Sequence, residues 1–285
     1  MASGLVIVDK PAGLTSHAVV GRVRRLAGTR KVGHAGTLDP MATGVLVLGV
    51  NRATRLLGHL MLTEKTYDAT VRLGVVTTTD DAEGEVVATT PTDGLEETAV
   101  REAFAGFLGE IEQVPSSVSA IKVDGKRAYQ RVREGEQVEL AARRVTVREL
   151  TVHAVRGDDV DLTVRCSSGT YIRAIARDAG QRLGVGGHLT ALRRTAVGPF
   201  DLAAARTLDE LTEDFALTPI ATAARSAFPA YELDDQQATD VRYGRALDAT
   251  LPTAGPVAVF APDGEFLALY EQSRERARAV AVFTG

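Results

Sequence analysis

An apolar run of six residues, Val45 to Val50, restricts the fold more than any other feature of the chain. The run is too short for a typical helix, so it is predicted to be a central strand of a sheet. Leu5 to Val8 is a shorter run of the same kind, followed by a turn at Lys10 to Gly13. Residues 66–73 alternate polar and apolar side chains, which predicts a strand with one buried face that carries Tyr67.

Helical patterns lie between these strands. Thr15 or Ser16 is predicted to cap a helix whose core face contains Val19, Val20 and Val23. The other predicted elements are helices at 95–108, at 172–183 and from Thr207, strands at 162–166 and 189–197, and a polar loop at 77–84. The chain therefore combines a sheet with several interspersed helices.

The length of 285 residues suggests roughly two domains, and 45% hydrophobic residues are enough to bury at least one substantial core. Beyond about Pro229, short apolar runs such as Val257 to Phe260 alternate with turns such as Pro262 to Gly264. This pattern predicts a small β-rich second domain at the end of the chain.

A single cysteine and scattered histidines exclude several classes of site. Cys166 cannot form an intramolecular disulfide and is predicted to be a small core residue. The five histidines show none of the close His/Cys spacings of zinc sites, so no metal is predicted. The apolar run before Asp9 and Lys10 contains only four residues, Leu5 to Val8, far fewer than a signal peptide or membrane span needs, and we expect a cytoplasmic protein.

Charge is segregated along the chain although the formal net charge is only -4. Residues 10–55 contain eight basic residues and one acid, and residues 165–194 contain six arginines and one acid. Residues 201–240 carry nine acids and two arginines. A single charge run usually solvates an exposed face, but two basic regions beside motif-like segments favour a nucleic-acid partner.

The loop from Gly33 to Pro40 holds the most suggestive carboxylate of the chain. Asp39 follows two glycines and precedes a proline and a predicted central strand, an arrangement that exposes a side chain at a fixed place. Such a carboxylate can act as a base or a nucleophile, or can bond its own backbone in the turn. The segment matches neither of the two common glycine-rich phosphate-binding patterns.

The segment Gly33 to Pro40, followed by Ala42-Thr43-Gly44, resembles the signature of the TruB family of bacterial tRNA pseudouridine-55 synthases. Further matches follow in the order of the family, and together they span roughly residues 4–200: Asp9-Lys10-Pro11, Lys65-Thr66-Tyr67, Pro115 to Tyr129, Cys166 to Arg173 and His188 to Arg194. The resemblance implies an α+β catalytic domain at 1–225, built on a mixed, mainly antiparallel sheet flanked by helices. It also implies a basic RNA-binding insertion at about 115–147 and a small PUA-type RNA-binding domain at 226–285.

The implied reaction detaches a uracil in the T-arm of transfer RNA from its ribose, turns it and reattaches it through C5. Nothing is added or removed, so no cofactor is expected. Asp39 resembles the essential carboxylate of the family, which either attacks the sugar or base or abstracts the ribose 2′ proton. The sequence leaves these routes open.

The resemblance also assigns roles around Asp39. Arg173 resembles the arginine that pairs with the catalytic carboxylate and favours its ionised form, and Tyr67 resembles the tyrosine that stacks on the uracil. Tyr171 and Leu192 resemble pocket residues, and Lys10 resembles a residue that supports the catalytic loop. Taken singly, Arg173 would also fit a surface helix, and Tyr67 would fit a plain core.

A uridine in a folded loop must leave its stack before a carboxylate can reach its sugar. His34 resembles the histidine that fills the vacated place in the stack. Lys126 and Arg127 belong to the basic segment 122–133, which resembles the insertion that closes over the T-loop and contacts phosphates.

Three other hypotheses are weighed against this one. A non-catalytic RNA-binding module would not need Asp39, and a zinc nucleobase deaminase needs a Pro-Cys-x-x-Cys motif that one cysteine cannot provide. A guide-dependent relative would act within a multi-protein particle, whereas the chain length and the long insertion favour stand-alone action. We expect a monomer that binds transfer RNA, needs no protein partner and does not bind a membrane.

Overall fold

The computed structural model of the chain describes residues 2–116, 122–123, 126–127, 141–274 and 276–284. Among these residues the helices are α1 (Ser16–Leu26), α2 (Leu57–Leu60), α3 (Glu97–Ala105), α4 (Ile172–Arg182), α5 (Leu208–Glu213), α6 (Ile220–Ala227) and α7 (Asp235–Arg242), with short 3-10 turns at Asn51–Arg55 and Leu202–Ala204. The strands of the first part are β1 (Gly4–Lys10), β2 (Val32–His34), β3 (Thr43–Val50), β4 (Lys65–Leu73), β5 (Val75–Thr77), β6 (Val86–Thr89), β7 (Gly109–Gln113), β8 (Lys122–Val123) and β9 (Lys126–Arg127). The remaining strands are β10 (Arg143–Arg156), β11 (Asp159–Cys166), β12 (Gly187–Val197), β13 (Phe200–Asp201), β14 (Thr218–Pro219), β15 (Ala230–Glu232), β16 (Val257–Phe260), β17 (Phe266–Ser273) and β18 (Arg276–Val282).

A mixed sheet organises the described part of the first 219 residues. Its strands follow the order β14-β1-β3-β12-β4-β11-β10-β7, with β2 paired to β3 and β13 paired to β12. The contact between β3 and β12 is parallel, and the other pairings in this sheet are antiparallel. The predicted α+β class with a mixed, mainly antiparallel sheet is confirmed.

The strand predictions hold where the local pattern was strongest. β3 lies between β1 and β12, and its residues from Val45 to Val50 are buried, as expected for a central strand. β4 buries every second side chain, and Tyr67 is on the buried face. Cys166 is 1% exposed in the core, where burial raises the pKa of its thiol to about 11.

Helices α1, α3, α4 and α5 pack on one face of this sheet, and α2 and α6 pack on the other. The side chain of Thr15 caps α1, which buries Val19, Val20 and Val23. α4 approaches the start of β12 so closely that a Cβ on Gly180 would lie 2.1 Å from the carbonyl carbon of Gly186. Only glycine fits there, and this contact fixes α4, the helix that carries Arg173.

The end of the chain forms a second, smaller sheet of order β15-β16-β17-β18, so the predicted small β-rich region is confirmed. Phe260, Phe266 and Phe283 fill its inner face. The same apolar cluster includes Ile7 and Val47 on the face of the large sheet opposite α1. The small sheet thus packs against β1 and β3, on the face of the large sheet opposite α1.

Several predicted segments differ from the structure in detail. The helix expected at 95–108 covers only Glu97–Ala105. The polar loop at 77–84 is a turn, but Asp81 within it is 2% exposed. Arg143 and Arg144, grouped by sequence with the insertion, lie in β10 opposite β7.

Within the basic insertion, β8 and β9 pair antiparallel, and Asp124 and Gly125 between them lie outside the described residues. The part of the chain that the structure describes contains no helix long and apolar enough to cross a membrane.

Candidate active site

Asp39 lies in the loop that joins β2 to β3, and Ser16 at the start of α1 holds this loop. The Ser16 hydroxyl accepts a hydrogen bond from the Leu38 amide at 2.8 Å and donates one to the Leu38 carbonyl at 3.0 Å. Ser16 is 3% exposed, so water does not compete for these bonds. The backbone immediately before Asp39 is therefore fixed to α1.

Lys10 supports the other side of the loop from beneath. Its ammonium donates to the carbonyls of Pro11 at 2.9 Å, Leu14 at 2.7 Å and Pro40 at 3.2 Å. Burial lowers the pKa of Lys10 to about 8, and attraction by Asp39 opposes this shift. Lys10 therefore connects the turn after β1 to the residue that follows Asp39.

Arg194 is a further buried cation beneath the loop. Its guanidinium donates to the carbonyls of Val45 at 2.7 Å, Gly36 at 3.2 Å and Thr37 at 3.3 Å. Arg194 is 1% exposed and lies opposite Tyr67 where β12 pairs with β4. It therefore connects the catalytic loop to the strand that carries Tyr67.

Arg173 lies between two aspartates. Its Nε is 3.2 Å from Oδ2 of Asp39, and its Nη1 is 3.2 Å from Oδ2 of Asp81. Nη1 also donates to the Thr79 carbonyl at 2.9 Å. The Arg173 side chain is only 6% exposed, so the interpretation of Arg173 as a surface-helix residue is wrong. The Asp39 side chain is 36% exposed, so Asp39 is the accessible member of these three charged residues.

Two opposing effects set the pKa of Asp39. Burial raises it above the usual value, and the positive charge of Arg173 is the largest influence that lowers it. The sequence predicted only the lowering of this pKa by Arg173. Asp81 also raises the pKa of Asp39, because two nearby negative charges disfavour each other.

A cavity of about 270 Å³ opens over this carboxylate. Five residues that the sequence singled out line it together: Asp39, Tyr67, Tyr171, Arg173 and Leu192. They come from four elements, the β2–β3 loop, β4, β12 and the start of α4. The volume is near the lower end of ligand pockets and suits one nucleotide-sized group.

Tyr67 and Tyr171 are fixed differently in this cavity. Tyr67 lies opposite Arg194 of β12 and Val164 of β11, and burial raises the pKa of its phenol. The Tyr171 backbone exchanges two hydrogen bonds with the side-chain amide of Gln113, at 3.0 and 3.2 Å. Both rings therefore present fixed aromatic surface to the cavity.

Three of the predicted RNA-binding residues are not among the described residues that line this cavity. His34 ends β2 and is half-buried, five residues before Asp39, but it does not line the cavity. The backbones of Lys126 and Arg127 form β9, and their side chains lie outside the described residues.

Four residues of the site were not proposed from sequence: Ser16, Lys65, Asp81 and Arg194. Lys65 is 5% exposed, lines the cavity and donates to the carbonyls of Met61 at 2.5 Å and Thr63 at 2.6 Å. A signal for Lys65 did exist, because it lies two residues before Tyr67 on a strand and therefore on the same buried face. Asp81 lies in a polar run and offered no comparable signal.

The arrangement can hold an ionised carboxylate against a single flipped-out group while keeping that group in contact with aromatic rings. Asp39 supplies a basic or nucleophilic oxygen, and the cations behind it supply positive potential. Within the described ranges, no cluster of three or more His, Cys, Asp or Glu side chains is placed to hold a metal.

Family models match almost the entire chain. The model described as TruB family pseudouridylate synthase (N terminal domain) matches residues 24–172. The tRNA pseudouridylate synthase B C-terminal domain matches residues 173–225, and the tRNA Pseudouridine synthase II, C terminal, matches residues 228–284.

Similar proteins and a similar solved structure agree with these matches. A protein of Arthrobacter sp. (strain FB24) named tRNA pseudouridine synthase B is 59% identical over 297 residues, covering 99% of this chain and 97% of its own. One of the same name from Thermobifida fusca (strain YX) is 58% identical and covers both chains completely. A chain from an H/ACA RNP bound to a substrate RNA containing 2′-deoxyuridine has a TM-score of 0.75 at 25% identity, over 99% of this chain and 85% of that one. This chain therefore belongs to the TruB family of pseudouridylate synthases.

Proposed function

We propose that this protein converts uridine 55 in the T-arm of transfer RNA to pseudouridine, with Asp39 as the essential catalytic residue. Relatives that are 58–59% identical over nearly the full chain are named tRNA pseudouridine synthase B, which supports transfer RNA as the substrate. The assignment to the T-arm rests on the resemblance of the Gly33 to Pro40 segment to the family signature.

One observation carries the assignment of Asp39. Its carboxylate is the exposed end of the Asp81–Arg173–Asp39 series of ion pairs, and it opens into the cavity lined by Tyr67, Tyr171 and Leu192. A surface aspartate that merely closes a turn would need no buried arginine. The geometry instead fixes one oxygen at the wall of a cavity that suits a single nucleotide.

The reaction breaks the bond between C1′ and N1 of the target, turns the uracil and forms a bond between C1′ and C5. The hydrogen on C5 leaves that carbon and N1 gains one, so the product is an isomer and no cofactor takes part. Asp39 reacts as the ionised form, either by attack on the sugar or base or by abstraction of the 2′ proton. Arg173 holds the carboxylate in place and favours that ionised form.

Tyr67 supplies the surface on which the uracil stacks after leaving the RNA. The raised pKa of its phenol keeps this group neutral at pH 7, and the pairing of β4 with β12 places Tyr67 opposite Arg194. Unstacking a base costs a few kcal/mol, and stacking on aromatic side chains returns about 1–3 kcal/mol per base. His34, five residues before Asp39, is proposed to fill the space that the base leaves.

The remaining assignments belong to the same proposal. We assign the catalytic domain to residues 1–225 and an RNA-binding domain to 226–285, with Lys126 and Arg127 contacting phosphates. The protein acts alone as a monomer. The structural likeness to a chain of an H/ACA RNP reflects the shared fold.

The decisive experiment incubates the purified protein, without cofactor, with unmodified transfer RNA and maps pseudouridine at each position. Asp39→Asn, which keeps the shape of the side chain, is expected to retain tRNA binding and lose isomerisation. Asp93→Asn, at an exposed position, is the matched control and is expected to behave as wild type. Pseudouridine at another uridine would refute the T-arm assignment, and full activity of Asp39→Asn would refute the role of Asp39.

A further inference from the structure

The surface of α1 and the segment after it carry four exposed basic side chains, which we call the cationic face: Arg22, Arg25, Arg30 and Lys31. Arg22 and Arg25 are three residues apart and so share one side of α1. Within the part of the chain that the structure describes, none of the four side chains forms an ion pair with a carboxylate. The face therefore carries uncompensated positive charge.

Several exposed arginines elsewhere on the large sheet form ion pairs with carboxylates. On the exposed sides of β4 and β10, Arg72 pairs with Asp159 at 2.6 Å, and Arg148 pairs with Glu64 at 3.0 Å. Like charges three residues apart on a helix destabilise it slightly, by a few tenths of a kcal/mol. Ion pairs therefore do not account for the charge of the cationic face, whereas a role in binding an anion does.

Two backbone segments, α1 and β2, connect the cationic face to the candidate active site. α1 begins at Ser16, which bonds Leu38 next to Asp39. Lys31 directly precedes β2, and β2 ends at His34. Three strand residues span ~10 Å, and a paired nucleic-acid strand rises ~3.4 Å per nucleotide. A strand that passes His34 therefore reaches Lys31 within about three nucleotides.

Exposed acidic residues on α5 lie at one edge of the cationic face. α5 packs against α1 and exposes Asp209 and Glu213, neither of which pairs with Arg22 or Arg25. Carboxylates repel phosphate, so an RNA strand on α1 would run along the side away from α5.

We propose that the cationic face binds the phosphate backbone of the stem that carries the target loop. The inference rests on the proposed function, because it takes transfer RNA as the ligand. Arginine and lysine side chains that contact phosphates position a nucleic acid without reading its sequence. The face would hold the stem in register while the target base enters the cavity beside Asp39.

The test compares two charge-neutralised variants with a matched control. Arg22→Gln with Arg25→Gln keeps good helix formers on α1, and Arg30→Gln with Lys31→Gln neutralises the segment after it. Arg72→Gln with Arg148→Gln removes the same charge from two paired positions. Each protein is titrated with unmodified transfer RNA at several salt concentrations. Each is also titrated with a short RNA hairpin that keeps the T-loop but has a stem of only two base pairs.

Each cationic-face variant is expected to bind transfer RNA roughly tenfold more weakly at about 0.1 M salt, with a salt slope shallower by about one to two. The difference from wild type should disappear on the shortened stem-loop. The rate of isomerisation at saturating protein should match wild type, since Arg22, Arg25, Arg30 and Lys31 do not line the cavity.

Binding and salt slope equal to wild type would overturn the inference, as would an equal loss in the control. A loss that persists on the shortened stem-loop would also overturn it, because the face would then contact the loop. These outcomes are separate from failure of the proposed function, which would appear as wild-type protein that leaves uridine 55 unmodified.

Discussion

Nε of Arg173 lies 3.2 Å from Oδ2 of Asp39, while Nη1 of the same guanidinium lies 3.2 Å from Asp81. One buried cation thus links an accessible carboxylate to an inaccessible one. The pKa of Asp39 depends on both partners, in opposite directions: Arg173 lowers it and Asp81 raises it. Substitution of Arg173 and substitution of Asp81 should therefore shift the pKa of Asp39 in opposite directions.

Arg173→Gln is expected to move the acid limb of the rate profile to higher pH. Removing the positive charge leaves burial and Asp81 to raise the pKa of Asp39 further, so ionised Asp39 appears only at higher pH. Lost positioning should also lower the single-turnover rate by about 100-fold. The control is Arg177→Gln, one turn further along α4, which removes pairs with Asp80 and Asp178 instead. An unchanged acid limb would contradict the coupling.

Asp81→Asn is expected to move the acid limb the other way, to lower pH. The amide keeps the shape of Asp81 but removes the charge that raises the pKa of Asp39. Stability should fall by about 3 kcal/mol, because buried Arg173 loses one of its two counter-charges. Rate profiles from pH 4 to 9 and denaturant unfolding measure the two effects. A shift in the same direction as that of Arg173→Gln would show that Asp81 acts through structure alone.

Ser16→Ala is expected to loosen the loop that carries Asp39. Ser16 itself does not line the cavity, so the substitution should not remove a contact with the substrate. The substitution leaves the buried amide and carbonyl of Leu38 without their partner, at a cost of about 1–3 kcal/mol. The single-turnover rate should fall while tRNA affinity stays unchanged. Ser226→Ala is the control, because Ser226 is exposed and donates only to the Thr222 carbonyl of its own helix. Equal effects of the two variants on stability and rate would remove the special role of Ser16.

Local pattern was enough to predict the elements that carry the site. The run from Val45 to Val50 gave β3, and the alternation around Tyr67 placed its ring on the buried face, because both signals depend only on neighbouring residues. The resemblance to the family then supplied Asp39, Arg173 and Leu192, which the structure brings to one cavity.

Long-range pairing and burial could not be predicted in the same way. Asp81 reaches Arg173 across 92 positions of sequence, and nothing in the run from Thr77 to Gly84 distinguishes it from its polar neighbours. Counting charges also fails to separate buried Arg194 from exposed Arg22, since both belong to basic regions of the chain. Only the packing of strands and helices decides which cations face the interior.

Lys65 provides a prediction about the pH dependence of stability. Burial lowers its pKa from 10.5 to about 8, so between these values the unfolded chain binds a proton that the folded chain does not. The contribution of Lys65 to the free energy of unfolding should therefore rise with pH across this window, and its destabilising effect is fully present below pH 8. Lys10, with a pKa of about 8, contributes in the same direction.

Lys65→Met removes the ammonium and should flatten this rise. Between pH 7 and 9.5, wild type is expected to gain about 2 kcal/mol more stability than Lys65→Met. Lys31→Met, at an exposed position, should leave the rise unchanged. Urea unfolding at closely spaced pH values measures the stability of each variant. If the free energy of unfolding rose equally steeply with pH in wild type and Lys65→Met, burial would not destabilise the Lys65 ammonium. Only the difference between the two proteins isolates Lys65, because Cys166, whose pKa is raised from 9.0 to about 11, and Tyr67, whose pKa is also raised, contribute with opposite sign in both proteins.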